Sequence, residues 1–528
     1  MFGLSGAGVL LFFLFFISII SILYVSSTKE MTLESYFFAN KNIHGFLLSL
    51  SLLSGCLISP YIFGLISIES SSLLIIIYGI ISVAMLLVLG WFIVPIYLRE
   101  KINSLPEYFE KRFNRSCKIF LSILYVFYNI FFRLIIILTI GNILINQVTG
   151  VDAYSSILFF IIIAGVYVVI GGLQAEIYIN AVQMIFLAFG VIIFWGWLIS
   201  GYGGIHLAFL KTISFSFSDA IGNSEFTWPG LMFGLPIIGF WFWCADQFMV
   251  QKVLSARNIY SVRKATLVSV FLQLIPVLIF ILPAIILFSL FNGIESKEAF
   301  HALFTTGILP EGIRMGVIIA VAAALMSSFA SLYNSTSYLI TFDFYRSVNP
   351  GALDKKLVLI GRLTIIILLF FSVLLIPVSQ NLTLDLCFKL FYAFSYFASM
   401  TAAIFLIGLL SKKINSTSVV ITLTIETCII LLKTSLTIFA SNNFLGNDLF
   451  SRLLQLKFLE FSLFVFLSSI ISSFFFSYLT VSKNFMGIYR KGLNSISTKI
   501  KYKRNIQGVI FLILLILVVF IVWGVLFD

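Results

Sequence analysis

Charge is what this sequence has least of: 10% of its 528 residues are Asp, Glu, Lys or Arg, against 61% hydrophobic residues and a mean hydropathy of +1.12. A soluble domain carries about a quarter charged residues, so a soluble fold is excluded and the chain reads as an all-α polytopic membrane protein. Histidine is nearly missing. The three present, His44, His206 and His301, are dispersed near span ends and in loops, too far apart for a histidine metal centre or a nucleophilic triad. The five cysteines, Cys56, Cys117, Cys244, Cys387 and Cys428, form no CxxC and no metal spacing, so buried apolar packing is their default. The largest loops, 201–229 and 292–314, lack a cluster of Asp, Glu and His, and an enzyme is not expected.

Apolar runs of membrane length are placed near 6–27, 45–69, 72–97, 118–147, 155–172, 179–200, 230–251, 265–291, 315–344, 357–378, 387–411, 417–440, 458–481 and 508–527, about 14 spans by the twenty-residue criterion. The first lacks a basic start and a small-residue cleavage site, so it is read as a retained helix. The net charge of +12 follows the positive-inside rule. With the N-terminus outside, alternate loops collect Arg99, Lys101, Lys111, Arg112, Arg115 and Lys118, then Lys252, Arg257, Arg263 and Lys264, and later Lys483 to Arg504. Roughly two dozen basic residues then fall inside against about six outside, which places both termini outside. These residues are topology signals and contacts for anionic membrane lipid. Nucleic acid is not expected as a partner, and no obligatory protein partner is evident.

Two features point beyond packing. The first is Ala322-Ala323-Ala324-Leu325-Met326-Ser327-Ser328-Phe329-Ala330-Ser331, a small and hydroxyl patch midway along a membrane-length helix. Ser327, Ser331 and Ser335 share a face, which suits either tight helix packing or oxygen ligands for a small hard cation. The second is Leu50-Ser51-Leu52-Leu53-Ser54-Gly55-Cys56-Leu57-Ile58-Ser59-Pro60, where Gly55 and Pro60 bracket the middle of a span. A proline there frees carbonyl oxygens around Ser54 to Leu57; a plain kink is the competing reading. A similar interruption, Gly234-Leu235-Pro236 through Trp243-Cys244-Ala245-Asp246-Gln247, follows five spans later. Paired Gly/Pro interruptions in two halves are the sequence sign of an inverted-repeat transporter with its site at the midplane.

Several segments, collinear over most of the chain, resemble the sodium:solute symporter family, in particular its sodium/glucose cotransporter branch. They are Glu34-Ser35-Tyr36-Phe37-Phe38-Ala39-Asn40-Lys41, Pro106-Glu107-Tyr108-Phe109-Glu110-Lys111-Arg112-Phe113, Gly171-Gly172-Leu173-Gln174-Ala175, Trp243-Cys244-Ala245-Asp246-Gln247 through Asn258, Met326-Ser327-Ser328, and Gly361-Arg362. The resemblance implies two inverted five-helix repeats with broken first and sixth core helices, a LeuT-like core over 45–411. A leading helix and inside loop over 1–44 precede it, and three or so further helices over 412–528 follow. It implies a sodium site made by main-chain oxygens of Ser54, Leu57 and Ala324 and the hydroxyls of Ser327 and Ser328. The implied activity is sodium-coupled import of a small organic solute by alternating access, in a plasma membrane of the bacterial inner-membrane type. The alternatives are a passive channel or facilitator of the same fold, or a transporter-derived solute sensor. The last span ends at the C-terminal Asp528, leaving no signalling module in view for a sensor.

Departures from the family pattern bear on substrate and stoichiometry. Pro60-Tyr61 stands where sugar-carrying members place Glu-Gln, Gln273 where they have lysine, and Phe391 at a polar position. Phe242 matches the aromatic gate. Tyr61, Phe242, Gln273 and Phe391 are therefore the expected substrate or gate residues, and hexose is disfavoured. Asn180 and Ala330 replace the aspartate and hydroxyl of members with a second sodium site, so one sodium per cycle is expected. Asp246 and Arg362 match motifs near the inner side and are read as inner-gate or structural residues; Arg133 and Glu426 receive no role.

Overall fold

The computed structural model describes residues 6–27, 31–56, 72–149, 153–201, 227, 229–273, 310–439 and 456–480. Among these residues the secondary structure is helical, apart from one isolated bridge between Ile43 and Ala256. In chain order the elements are α1 (Gly6–Ser27), α2 (Leu33–Phe38), α3 (Gly45–Ser54), α4 (Ile80–Arg99), α5 (Leu105–Arg112), α6 (Arg115–Asn146), α7 (Ala153–Gly201) and α8 (Gly230–Ala245). There follow α9 (Gln247–Leu254), α10 (Ile259–Leu272), α11 (Glu311–Val348), α12 (Asp354–Asn381), α13 (Leu384–Leu410), α14 (Ser416–Phe439) and α15 (Phe458–Thr480). Eight helices among the described residues are long and apolar enough to cross a membrane, nine with the bent pair α8/α9. The expected span over 508–527 and most of that over 265–291 lie outside the described residues.

The expected spans over 155–172 and 179–200 run together as α7. Its 49 residues would extend about 74 Å if straight, more than twice a hydrocarbon core of about 30 Å. It is therefore two crossings joined at Gly172, the one non-helical residue inside it, at φ 56° and ψ −148°. The kink turns carbonyls off the helical ladder, and distant side chains take them. The Tyr36 hydroxyl on α2 lies 3.3 and 3.4 Å from the oxygens of Val168 and Val169, and Arg362 Nη2 on α12 lies 3.5 Å from that of Ile170. Burial pushes the Tyr36 phenol well above its usual range against the nearby Arg362 charge, so it stays a protonated donor. This is the place of Arg362: a cap on the broken α7, with its guanidinium 5.6 Å from the Tyr36 ring.

The second half of the core opens on a broken helix. The axis turns by 42° between α8 and α9. The break lies at Asp246, in extended backbone at φ −79° and ψ 131°, rather than at Pro236. Pro236 lies inside α8 directly after a π-helical stretch, Gly230–Gly234, with Gly234 still helical, so the chain does not break there. The carbonyls released at the break are again capped by side chains, as a lipid-embedded backbone requires. Tyr97 donates to Cys244 O at 2.5 Å and Tyr125 to Ala245 O at 2.9 Å, while Trp241 Nε1 donates to the Tyr125 hydroxyl at 3.2 Å. Tyr125→Phe strands both a buried carbonyl and an indole N–H, and should cost about 1–3 kcal/mol in unfolding experiments. A change below half a kcal/mol would show that the cap is dispensable.

Several connections between the long helices are built as small helices. Ser104 accepts the Glu107 N–H at 3.1 Å and the Glu107 carboxylate takes the Asn103 N–H at 2.8 Å, a capping-box arrangement that starts α5. From the end of α5, Arg112 donates to Gly408 O at 2.8 Å and Ser411 O at 2.5 Å, tying off the C-terminus of α13. Main-chain bonds from Ile43 N to Ser255 O (3.2 Å) and Arg257 N to Ile43 O (3.1 Å) join the entry of α3 to the exit of α9. At the centre stands α11, buried without interruption from Ile319 to Leu339. By contrast α12 keeps Leu363, Ile367, Phe370 and Leu374 exposed, a stripe suited to hydrocarbon.

Candidate functional site

The last turn of α3 ends at Ser54, with the Gly55 and Cys56 N–H groups turning back to Ser51 and Leu53. The Ser54 carbonyl thus points out of the helix end and meets α11. Ser327 Oγ donates to Ser54 O at 2.7 Å and lies 3.0 Å from Ala324 O; Ser328 Oγ donates to Ala324 O at 2.8 Å. All four residues are no more than 3% exposed, and Ser54 Oγ is a further buried oxygen with no partner among the described residues. Two carbonyls and two hydroxyls, with no carboxylate among them, meet between a helix end and a helix middle. Hydroxyls rotate, so Ser327 and Ser328 can turn lone pairs in place of protons toward a cation. Of the expected sodium set the structure brings together Ser54, Ala324, Ser327 and Ser328; Leu57 lies outside the described residues.

The expected substrate residues are more scattered. Tyr61 lies outside the described residues. Phe242 is buried in the π-helical end of α8, its ring edge-on to Trp243 at 5.2 Å. Gln273 is buried at the end of α10. Phe391 on α13 packs 6.3 Å from Phe394 and 6.0 Å from Phe458 of α15.

Beside α8 a denser aromatic wall forms that the sequence did not single out: Tyr128 stacks on Phe394 at 4.0 Å, and Trp241 lies 4.9 Å from Phe394. Its signal was present in the aromatic-rich Trp241-Phe242-Trp243 run but could not be told from packing. Asp246 caps α9 by accepting the Phe248 N–H at 3.3 Å and pairs with Arg133 of α6. Arg133 thereby acquires a position, flanked by the Tyr128 and Phe248 rings at 5.1 and 5.4 Å. Glu426 is buried on α14.

Lys252 requires a correction. Counted as a loop charge, it is instead buried in α9 at 1% side-chain exposure, 3.0 Å from the equally buried Glu176 of α7. Neither residue carried a sequence signal for this pairing, since a lysine near a span end reads as a topology charge.

A bent pair of helices at α8/α9, together with main-chain oxygens and buried hydroxyls meeting where the end of α3 faces the middle of α11, defines a polytopic transporter of the inverted-repeat class. The sequence profile described as "SSF: Sodium:solute symporter family" matches residues 36–425. The chain belongs to the sodium:solute symporter family. It is 28% identical to sodium/myo-inositol cotransporter 2 of Bos taurus over 446 residues, covering 77% of this chain and 66% of that protein. To sodium/glucose cotransporter 1 of Mus musculus it is 29% identical over 378 residues, covering 63% and 57%. The match thus spans just under two thirds of the length of the inositol relative. In fold it is similar to a sodium-coupled sialic acid symporter solved in a substrate-bound outward-open state, with a TM-score of 0.75, 19% identity and coverage of 90% of this chain and 98% of that one. The fold is accordingly that of two inverted five-helix repeats, opened by α3 and by α8/α9.

Proposed function

We propose that this protein is a sodium-coupled symporter that imports a small organic solute by alternating access, with one sodium ion per substrate. The observation that carries the reading is the meeting of the Ser54 and Ala324 carbonyls with the Ser327 and Ser328 hydroxyls at the end of α3. Leu57 O completes the ligand set, and the transport core spans 45–411, flanked by 1–44 and 412–528. An all-neutral oxygen set suits a monovalent ion that must leave again on the inner side. The same ion fixes the end of α3 against α11, so sodium and substrate raise each other's affinity by one and the same factor. Carrying one charge across 100 mV adds about 2.3 kcal/mol, roughly a fortyfold accumulation of a neutral solute before the sodium gradient contributes.

The named relatives carry myo-inositol and glucose, which makes polyols the first probes. Phe391 and Phe242 offer apolar surface to the solute, with Tyr61 and Gln273 as its polar partners, so we propose a ligand with fewer hydroxyls than a hexose. The membrane is the bacterial inner membrane, with both termini outside and anionic lipid against the basic inner loops.

The test is thermal stabilisation of the purified protein in a sodium titration at constant ionic strength, with choline as replacement, on the wild type and on Ser328→Ala. A stabilisation by sodium that shifts about tenfold or more to higher concentration in the variant, about 1.4 kcal/mol of lost ligation, is expected. An unchanged sodium response in S328A removes the site. In proteoliposomes, downhill flux indifferent to sodium would establish the passive reading instead.

A further inference from the structure

One turn beyond Ser327 on α11, a second set of buried oxygens converges, and it is already filled by a cation belonging to the chain. Lys252 Nζ lies 3.0 Å from Glu176 Oε1 and donates to Ser51 O at 2.9 Å and to Ser331 Oγ at 3.0 Å. Glu176 accepts the Ser331 hydroxyl at 2.6 Å and Asn180 Nδ2 at 3.3 Å on Oε1, and Asn334 Nδ2 at 2.6 Å on Oε2. Asn180 Oδ1, Asn334 Oδ1 and Ser51 Oγ of these same residues are buried with no hydrogen-bond partner among the described residues. Every one of these residues is at most 2% exposed. The Phe248 ring lies 4.6 Å from the ammonium. Carboxylate, hydroxyl and main-chain carbonyl oxygens around the ammonium are the donor types of a hard-cation site, and the unpartnered Asn180, Asn334 and Ser51 oxygens leave more buried acceptors here than a plain ion pair needs.

We infer that Lys252 is a tethered cation that occupies a second monovalent-cation site, built from Glu176, Ser331, Asn180, Asn334 and the Ser51 carbonyl. The inference rests on the symport reading and deepens it: the mobile sodium at Ser327 and Ser328 suffices because a resident ammonium does the work of another. The cluster touches the same moving part as the first site. A Cβ built on Gly55 would lie 2.9 Å from Lys252 Nζ and 2.7 Å from Ser331 Oγ, so the end of α3 rests directly on this ammonium. Lys252 thus supports the backbone that presents Ser54 O, and it is a positioning residue for the proposed sodium site. Removing the lysine alone leaves the Glu176 carboxylate buried without a counter-charge, which the protein tolerates only by admitting a cation or a proton. The two free amide oxygens and the Ser51 carbonyl favour the cation.

The experiment measures sodium itself, by equilibrium binding of radioactive sodium to the purified full chain and by melting temperature in sodium against choline. The wild type should bind about one sodium per chain with a Hill slope near 1, and K252M about two with a steeper slope, since each ion bound only by the folded form adds its own stabilisation. K252M/E176Q, which removes both charges, should return to one, and K252R should stay at one. If K252M is unstable, its melting temperature should rise more steeply with sodium than that of the wild type, and not with choline. K252M binding one sodium, or melting equally low in both salts, overturns the inference. Failure of the wild type to bind sodium, or binding indifferent to S328A, instead strikes the symport reading on which it rests.

Discussion

Asp246→Ala should lower stability by about 3–5 kcal/mol, the cost of leaving one partner of a buried ion pair uncompensated. Asp246 is 1% exposed and Arg133 13% exposed at the side chain, and each is the other's ion-pair partner. Among the described residues, what remains to the guanidinium is Asn129 Oδ1 at 3.4 Å and the faces of Tyr128 and Phe248, too little to replace a carboxylate. Asp246 also caps α9 through the Phe248 N–H, a contribution of about 0.5–2 kcal/mol on its own. Asp246→Asn should separate the two, keeping the cap and losing the charge. The decisive comparison is the double variant Arg133→Met/Asp246→Ala, which removes both charges and should cost clearly less than the two single changes added together. Equilibrium unfolding in mixed micelles gives all four values, and strict additivity would mean that the pair does not hold the break in place.

Legibility in the sequence followed from how local each signal was. The hydroxyl patch of α11 and the glycine at the end of α3 were visible because each lies within a few consecutive residues and departs from what a lipid-facing helix needs. Their meeting was not visible, since no periodicity tells which helix a Ser327 hydroxyl faces; the family resemblance suggested it. The second interruption was expected within Gly234 to Gln247, and the structure puts it near the far end of that stretch, at Asp246. Proline marks a helix discontinuity strongly in sequence, but Pro236 lies inside α8 while the chain breaks at Asp246, where tyrosines from α4 and α6 take up the freed carbonyls. Those tyrosines, like Arg133, Glu176 and Lys252, act across helices far apart in the chain. A charged residue of this kind looks the same in sequence whether it marks topology, pairs in the core or lies against lipid head groups. Only packing separates Lys252 from Arg257, five residues on, which is exposed.

Gly172→Ala should be the most damaging single-methyl change in the described structure. At φ 56° and ψ −148° the residue occupies a backbone region that is essentially glycine-only and costs other residues about 1–3 kcal/mol. Space compounds the strain: a Cβ would lie 2.3 Å from the Tyr36 carbonyl oxygen and 2.8 Å from two Tyr36 ring carbons. The first of these atoms is backbone, so α2 as a whole must shift. Moving α2 withdraws the Tyr36 hydroxyl from Val168 and Val169 and shifts the ring against which Arg362 lies. The stranded carbonyls sit inside α7, where unpaired buried polar groups cost about 1–3 kcal/mol each, so the total exceeds the strain alone. Gly316→Ala supplies the control, because that position lies within α11 with no described atom within 4 Å of its Cβ. It should be neutral or stabilising by up to about 1 kcal/mol through the unfolded chain. Folded yield by size-exclusion profile and melting temperature should fall sharply for G172A and hold for G316A. A G172A protein that melts with the wild type would mean that α7 can join its two crossings without this kink.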